Sequence, residues 1–161
     1  PGTQAMTRYH LAAAGLAKPK NAAFANIDLE HESLHDGLLR DHVSMDEPTF
    51  FSWLGVTMYL KEEAIDAVLR SVAAFPAGSE IVLTFAPPSG DSPSPLAQRT
   101  ASLGEPWVSY FEPDALEAKL RGAGFSKVEF LSPAEAEARY FRQRPGDLQV
   151  PKRTNILCGV V

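Results

Sequence analysis

Cysteine is nearly absent. The 161 residues hold one, Cys158, so no intramolecular disulfide can form, and a reducing, cytoplasmic compartment is the expectation. Cys158 lies in the apolar run Ile156-Leu157-Cys158-Gly159-Val160-Val161 with no base near it in sequence, which reads as a small buried hydrophobe rather than a nucleophile. No apolar stretch approaches the length of a membrane span and no secretory leader is visible, so no membrane partner is expected. Basic residues are the minority: 15 Lys and Arg against 20 Asp and Glu give a net charge of −5 and a pI near 5.3. A surface for nucleic-acid backbone needs the opposite sign, and no nucleic-acid partner is expected. There is no phosphate-cradling glycine loop. Ser52 is not in a Gly-x-Ser-x-Gly setting, which leaves a hydrolase elbow unsupported. His31-Glu32 and His35-Asp36 fall at helical spacing, yet there is no His-Glu-x-x-His and no cysteine pair. They read as a solvated polar turn, and no metal is expected. Arg139, Arg142 and Arg144 read in the same way as a solvated helix end.

What is present is ordinary globular material, 45% hydrophobic and 22% charged, long enough for one domain with a core. Short apolar runs alternate with amphipathic stretches, the pattern of a mostly parallel sheet covered by helices. Met6, Tyr9, Ala13 and Leu16 recur at helical spacing over residues 3–17. Residues 22–29 suggest a short strand with Phe24 and Ile27 as its bulky members, and residues 33–40 a short helix on Leu34, Leu38 and Leu39. Residues 49–56 are almost wholly apolar, as a central strand buried on both faces would be. The clearest helix is 61–75, with Ile65, Val68, Leu69, Val72 and Phe75 in one stripe and Glu62 and Glu63 in its first turn.

Residues 80–85 then read as a strand, followed by the Pro- and Ser-rich stretch 87–95 as a mobile loop and by a helix at 96–103. Pro113 opens a further helix along Leu116, Leu120 and Ala123, which Gly124 ends and Phe125 follows. Residues 127–131 read as a strand. Ser132 and Glu135 form a capping box for a helix running to about Phe141, and 154–161 is the last strand. The chain opens at Pro1 without Met, and its first helix starts with no strand before it. An α/β domain rarely opens so, which suggests processing or truncation.

Several segments together resemble the leucine carboxyl methyltransferase-like family of S-adenosylmethionine (SAM)-dependent methyltransferases, in its bacterial branch. They are Pro1-Gly2-Thr3-Gln4 leading into a helix, Phe50-Phe51-Ser52-Trp53-Leu54-Gly55-Val56-Thr57-Met58-Tyr59-Leu60, and Gly104-Glu105-Pro106-Trp107 running through Phe111-Glu112-Pro113. The resemblance covers nearly the whole chain, and the part from Trp53 to Leu60 is its most specific. It implies an α/β fold: a doubly wound, mostly parallel, Rossmann-like class I methyltransferase sheet whose final strand is antiparallel, here lacking its first strand or strands. Residues 1–161 would be the C-terminal portion of a single SAM-dependent methyltransferase domain. The glycine-rich turn after the first strand, and the acidic residue ending the second, would precede Pro1.

The resemblance also assigns residues. Asp28 would accept the adenine amino group, a task that suits an acceptor-only carboxylate, and Leu29 would flank the ring. From the residues alone, an Asp just after a strand is first a turn cap. Leu54 stands where many relatives carry a Glu facing the cofactor. A leucine cannot accept a hydrogen bond from the methionine amino group, so the backbone of residues 52–55 is left to do so, with Gly55 allowing close approach. Tyr59 would line the donor-methyl pocket or pack at the start of the next helix. Trp107 and Tyr110, beside Phe111, would shape the acceptor pocket or anchor a long loop.

The expected activity is methyl transfer from SAM to a carboxylate or hydroxyl oxygen of a small molecule or protein terminus. Such a displacement demands positioning more than a strong acid or base, and no catalytic residue is assigned. Two alternatives stand beside it. One is a non-catalytic remnant of the domain that packs or pairs as a homodimer, because loss of a central strand would leave 49–56 partly unpaired. The other is an unrelated α/β nucleotide-binding domain.

Overall fold

The computed structural model describes residues 2–88, 90, 93–142, 146 and 155–161. Helix α1 spans Gly2–Ala13 and α2 Leu34–Arg40. Strand β1 is Phe50–Trp53, followed by a 3-10 turn, Thr57–Tyr59, and helix α3, Glu62–Ala73. After β2, Glu80–Thr84, come α4, Pro95–Ser102, and α5, Pro113–Ala123. Strand β3 is Lys127–Phe130. Helix α6, Pro133–Ala136, passes into a π turn at Glu137–Phe141, and β4 is Ile156–Val160.

The strands form one sheet in the order β1-β2-β4-β3. β1 and β2 are parallel, and β4 inserts antiparallel between β2 and β3. Three strands therefore share one direction and the last in sequence opposes them, the α/β arrangement expected. Alternation decides the faces. Ile81 and Leu83 of β2, Val128 of β3 and Leu157 of β4 meet Ile65, Val68, Leu69 and Val72 of α3 and Leu116 and Leu120 of α5 in the core. Val82 and Cys158 point the other way, into a groove of about 410 Å³ whose far wall includes Glu135, Arg139 and Tyr140 of α6 and the π turn. The Cys158 thiol is half-buried there, and burial pushes its pKa up, which keeps it protonated and inert.

Local chemistry accounts for the helix limits. The Ser33 hydroxyl accepts from the Asp36 N–H at 3.0 Å, and that of Ser94 from Ala97 at 3.2 Å, with Pro95 next. The capping box forms as expected: Ser132 Oγ accepts from the Glu135 N–H and Glu135 Oε2 from the Ser132 N–H. Gly124 ends α5 at φ +115°, a left-handed position suited to glycine. Lys119 of α5 ties to Asp66 at 3.0 Å and Glu62 at 3.1 Å of α3.

Three elements depart from expectation. Residues 22–28 form no strand. Phe24 and Ile27 are three apart, an odd spacing that a period of two sends to opposite faces, and each meets a helix instead. Arg8 of α1 lies 4.8 Å over the Phe24 ring, and Ile27 fills the space above Gly37 of α2, where an added Cβ would stand 2.6 Å from it. Among the described residues β1 is an edge strand rather than a central one: it pairs with β2 alone, Phe51 and Trp53 pack on the core, and Phe50 is 62% exposed on the opposite face. Continuous apolar character was compatible with two covered faces, and one is covered. Finally, α1 stops at Ala13, and Met6, Tyr9 and Leu16 are exposed rather than packed. The start of the last strand, at Thr154, the residues Ser89, Asp91 and Ser92 of the proline-rich loop, and Arg144 lie outside the described residues.

The core is tight where β4 passes under α5. A Cβ on Gly159 would lie 2.8 Å from Leu120, 2.9 Å from Phe125 and 3.3 Å from Ile81, whereas one on Gly122 meets nothing within 4 Å. Gly159→Ala should therefore cost about 1–3 kcal/mol in urea unfolding. Gly122→Ala, inside α5, should gain up to roughly 1 kcal/mol. Equal effects would mean that the close approach is not a constraint.

Candidate functional site

Open α/β sheets bind ligands beyond the carboxyl ends of their strands. Here β1 and β2 end side by side, with Trp53 opposite Leu83. Past β1 the chain turns at Gly55, at φ +71°. The Gly55 N–H donates to Thr84 Oγ1 at 2.7 Å, and the buried Thr57 hydroxyl donates to the Thr84 carbonyl at 2.7 Å. These bonds seat the 3-10 turn on the end of β2. The segment carrying Trp107 and Tyr110 is strapped across that turn: the Val108 and Ser109 N–H groups donate to the Met58 carbonyl at 2.8 and 3.3 Å, and the Ser109 hydroxyl donates to the Leu60 carbonyl. Phe111 N–H closes the strap on the Ala86 carbonyl at 2.8 Å.

A second loop meets this rim. The Asp28 carbonyl accepts from the His31 and Glu32 N–H groups at 2.9 and 2.8 Å, which makes residues 28–32 a tight turn. Asp28 Oδ1 accepts from the Glu30 N–H at 3.1 Å, and Oδ2 faces His31 Nδ1 at 3.0 Å. Glu30 in turn reaches α3, its Oε1 accepting from the Lys61 N–H at 2.8 Å. A carboxylate at a helix N-terminus is favoured by the helix dipole.

Between these parts runs a groove of about 580 Å³, lined by Gln4, Asn26, Ile27, Asp28, Leu29, Glu32 and Leu60 among others. Of the residues named from sequence, Asp28 and Leu29 line it. Tyr59 adjoins it through its neighbour Leu60, and that neighbour is the lining residue. Trp107 and Tyr110 lie 6.2 Å apart between ring centroids, their planes tilted by 53°, on the strap over Met58, and the buried Trp107 Nε1 has no hydrogen-bond partner among the described residues. Leu54 sits at the turn after β1, 53% exposed, and is not among the groove's lining residues. The Leu29 N–H has no acceptor among the described residues.

Electrostatics follow the hydrogen bonds. The Glu30 N–H, and then His31, hold the Asp28 carboxyl below its ordinary range. Arg40, and then the Asp28 N–H, do the same for Glu32. Both are acceptor-only anions at neutral pH. Among the described residues no three His, Cys, Asp or Glu converge as metal ligands, and no helix is long and apolar enough to cross a membrane.

The family model described as leucine carboxyl methyltransferase matches residues 1–73, the stretch that includes Asp28, Leu29, Leu54 and Tyr59. YktD of Bacillus subtilis (strain 168), assigned to the S-adenosyl-L-methionine-dependent methyltransferases, is 29% identical over 156 residues, covering 92% of this chain and 51% of its own. The chain is thus similar to leucine carboxyl methyltransferases over residues 1–73 and to this methyltransferase relative over most of its length. It spans about half the length of the curated family relative it matches. Two solved structures share its fold. The SAM-dependent methyltransferase SibL, in its apo form, superposes with a TM-score of 0.55 at 18% identity over 99% of this chain and 41% of its own. A protein of Thermobifida fusca YX assigned as a methyltransferase gives 0.56 at 22% identity over 94% and 57%.

Several residues of the groove and its rim were not singled out from the sequence. Leu60, Glu30 and Glu32 were within reach, being next to residues already singled out. Thr84, Gln4 and Arg40 join through contacts distant in sequence, which no local pattern carries.

The depressed Asp28 carboxyl gives a test. A lowered folded pKa means that its hydrogen-bonded anion is fully present above the ordinary carboxylate value and is lost as pH falls through the lower, folded one. The carboxyl resonance of Asp28 in a carbon-detected titration should have its midpoint below that of an ordinary Asp, and His31→Ala should move it upward. An unmoved midpoint would show that the imidazole does not face the carboxylate.

Proposed function

We propose that the groove beside Asp28 and Leu29 holds the adenine end of SAM, and that the whole protein transfers the cofactor's methyl group to an oxygen of a small molecule or protein terminus. The observation that carries this is the pairing at the groove wall of an ionised acceptor, Asp28, with a neighbouring free donor, the Leu29 N–H. An adenine edge offers the converse pair, an exocyclic amine and a ring nitrogen. Ile27, Leu29 and Leu60 supply apolar wall for the ring.

The described residues fit the adenine end and not the methionine end. Leu54 provides no acceptor for an ammonium group, and only backbone is polar at Gly55. When bound, the cofactor supplies a methyl group on a sulfonium, ready for in-line displacement. What this chain's residues would do is bind and orient. Asp28 would fix the base. The strap would close the acceptor side with Trp107 and Tyr110, and the buried, unpaired Trp107 N–H suits an acceptor substrate bearing an oxygen lone pair. The setting we propose is cytoplasmic.

A second reading is a non-catalytic body that packs or pairs with its own copy. It has one observation in its favour: β1, Phe-Phe-Ser-Trp, is unpaired along one edge among the described residues and carries no charge to guard it.

Titration calorimetry with S-adenosylhomocysteine separates the two. On the first reading the chain binds, and Asp28→Ala weakens binding by roughly tenfold or more, the cost of a hydrogen bond to a charged group. Undiminished affinity in that variant would remove Asp28 from the site. No heat, with a dimer in sedimentation equilibrium, would favour the second reading.

A further inference from the structure

Asp28 is held from three sides, and one of these holds runs on through a side-chain clasp to the end of α2. The Glu30 N–H and the His31 imidazole grip the two carboxylate oxygens from within residues 28–31. The Asp28 N–H instead donates to Glu32 Oε1 at 3.1 Å, and Glu32 Oε2 is paired with Arg40 Nη1 at 2.6 Å. Arg40 is the last residue of α2, eight positions beyond Glu32. Its second nitrogen, Nη2, donates to the Asn26 carbonyl, two residues before Asp28. One guanidinium thus fastens both flanks of Asp28 to the end of a helix. That helix is itself locked on the incoming segment by Ile27 over Gly37.

We propose that Arg40 and Glu32 are positioning residues of the adenine subsite, acting through the Asp28 backbone to aim its carboxylate at the base. The proposal rests on the adenine reading of the groove. Neither residue need touch the adenine amine. Glu32 lines the groove, and its two oxygens accept from the Asp28 N–H and from Arg40, which is the link the proposal uses. Arg40 is absent from the lining residues. Arginine suits the task because its planar fork presents two donors at fixed spacing, to a carboxylate and a carbonyl at once, whereas lysine offers a point charge on a flexible stem. The pair is partly exposed, 51% for Arg40 and 29% for Glu32. Exposed ion pairs add little to global stability, so the effect of breaking this one falls on local geometry. Ionisation matters as well: Glu32 is held below its ordinary range chiefly by Arg40, so the clasp is intact at neutral pH and opens as Glu32 is protonated in acid.

The decisive readout is base discrimination. S-adenosylhomocysteine and S-inosylhomocysteine differ at the purine 6-position, where the first carries an amine for Asp28 and the second a carbonyl. In wild type the amine ligand should bind tighter by roughly tenfold or more. Arg40→Ala should collapse that ratio while leaving the midpoint of urea unfolding in place, and Arg40→Lys should restore part of it. Loss of both affinities by one common factor, or an unchanged ratio, would overturn the proposal.

If wild type binds neither ligand, the adenine reading itself falls, and amide exchange then decides the clasp alone. Arg40→Ala should speed exchange at Asp28 and Glu30 by roughly tenfold or more and leave Leu69 and Val72 in α3 unchanged. Equal exchange rates at Asp28 in the two proteins would dismiss the clasp.

Discussion

The rim of the site depends on Thr84. As the last residue of β2, it receives the Gly55 N–H on its hydroxyl and the Thr57 hydroxyl on its carbonyl. Two side-chain hydrogen bonds thereby fix the turn that follows β1 against the end of its neighbour. Thr57 is 2% exposed, so its hydroxyl has no water to fall back on, and an unpaired buried group costs about 1–3 kcal/mol. The 3-10 turn held in this way supplies the Met58 and Leu60 carbonyls that take the aromatic strap, and it leads into the Lys61 N–H that takes Glu30. The loop at residues 28–32 and the aromatic strap are thus both referred to one junction at the end of the β1–β2 parallel pair.

The two sides are built from different forces. The strap is held by backbone hydrogen bonds and buried aromatic surface, Phe111 above all. The loop at residues 28–32 buries little. It is ordered by charge: an acidic turn, three of whose five residues are Asp or Glu, is fastened to the N-terminus of α3 by Glu30 and to the C-terminus of α2 by Glu32 and Arg40. Both attachments suit the helix dipoles, with anion at an N-terminus and cation at a C-terminus. A binding loop of this kind is rigid while its carboxylates are ionised, and it needs no core of its own.

Legibility in the sequence followed the range of the interactions. Helices α3, α5 and α6 could be read because their stripes, caps and stops are local: Ile65 to Val72, Pro113 with Gly124, and Ser132 with Glu135. The inserted antiparallel strand was visible only through family resemblance. The loss of a ladder at residues 22–28 and the edge position of β1 were not legible, because both depend on what lies beside a segment rather than on its composition. Asp28 and Leu29, named from the family resemblance, both line the groove. Thr84 and Arg40 were not named, since a threonine ending a strand and an arginine ending a helix look the same whether or not another loop is fastened to them.

The position of β4 carries a consequence for the order of events. It comes last among the strands in the chain yet lies inside the sheet, separating β2 from β3, and Gly159 is the point where α5 closes over it. Until it arrives, β2 and β3 share no hydrogen bond, and the floor of the core beneath Leu120 and Phe125 is absent. Pairings so remote in sequence are slow to form, since the loop-closure entropy is lost before the contacts reward it. α3, α5 and the β1–β2 pair can therefore gather early, but an apolar cleft stays open until β4 joins. A chain stalled before that event would carry the rim at Thr84 on the β1–β2 pair alone, with the second edge of β2 open and the floor beneath α5 missing.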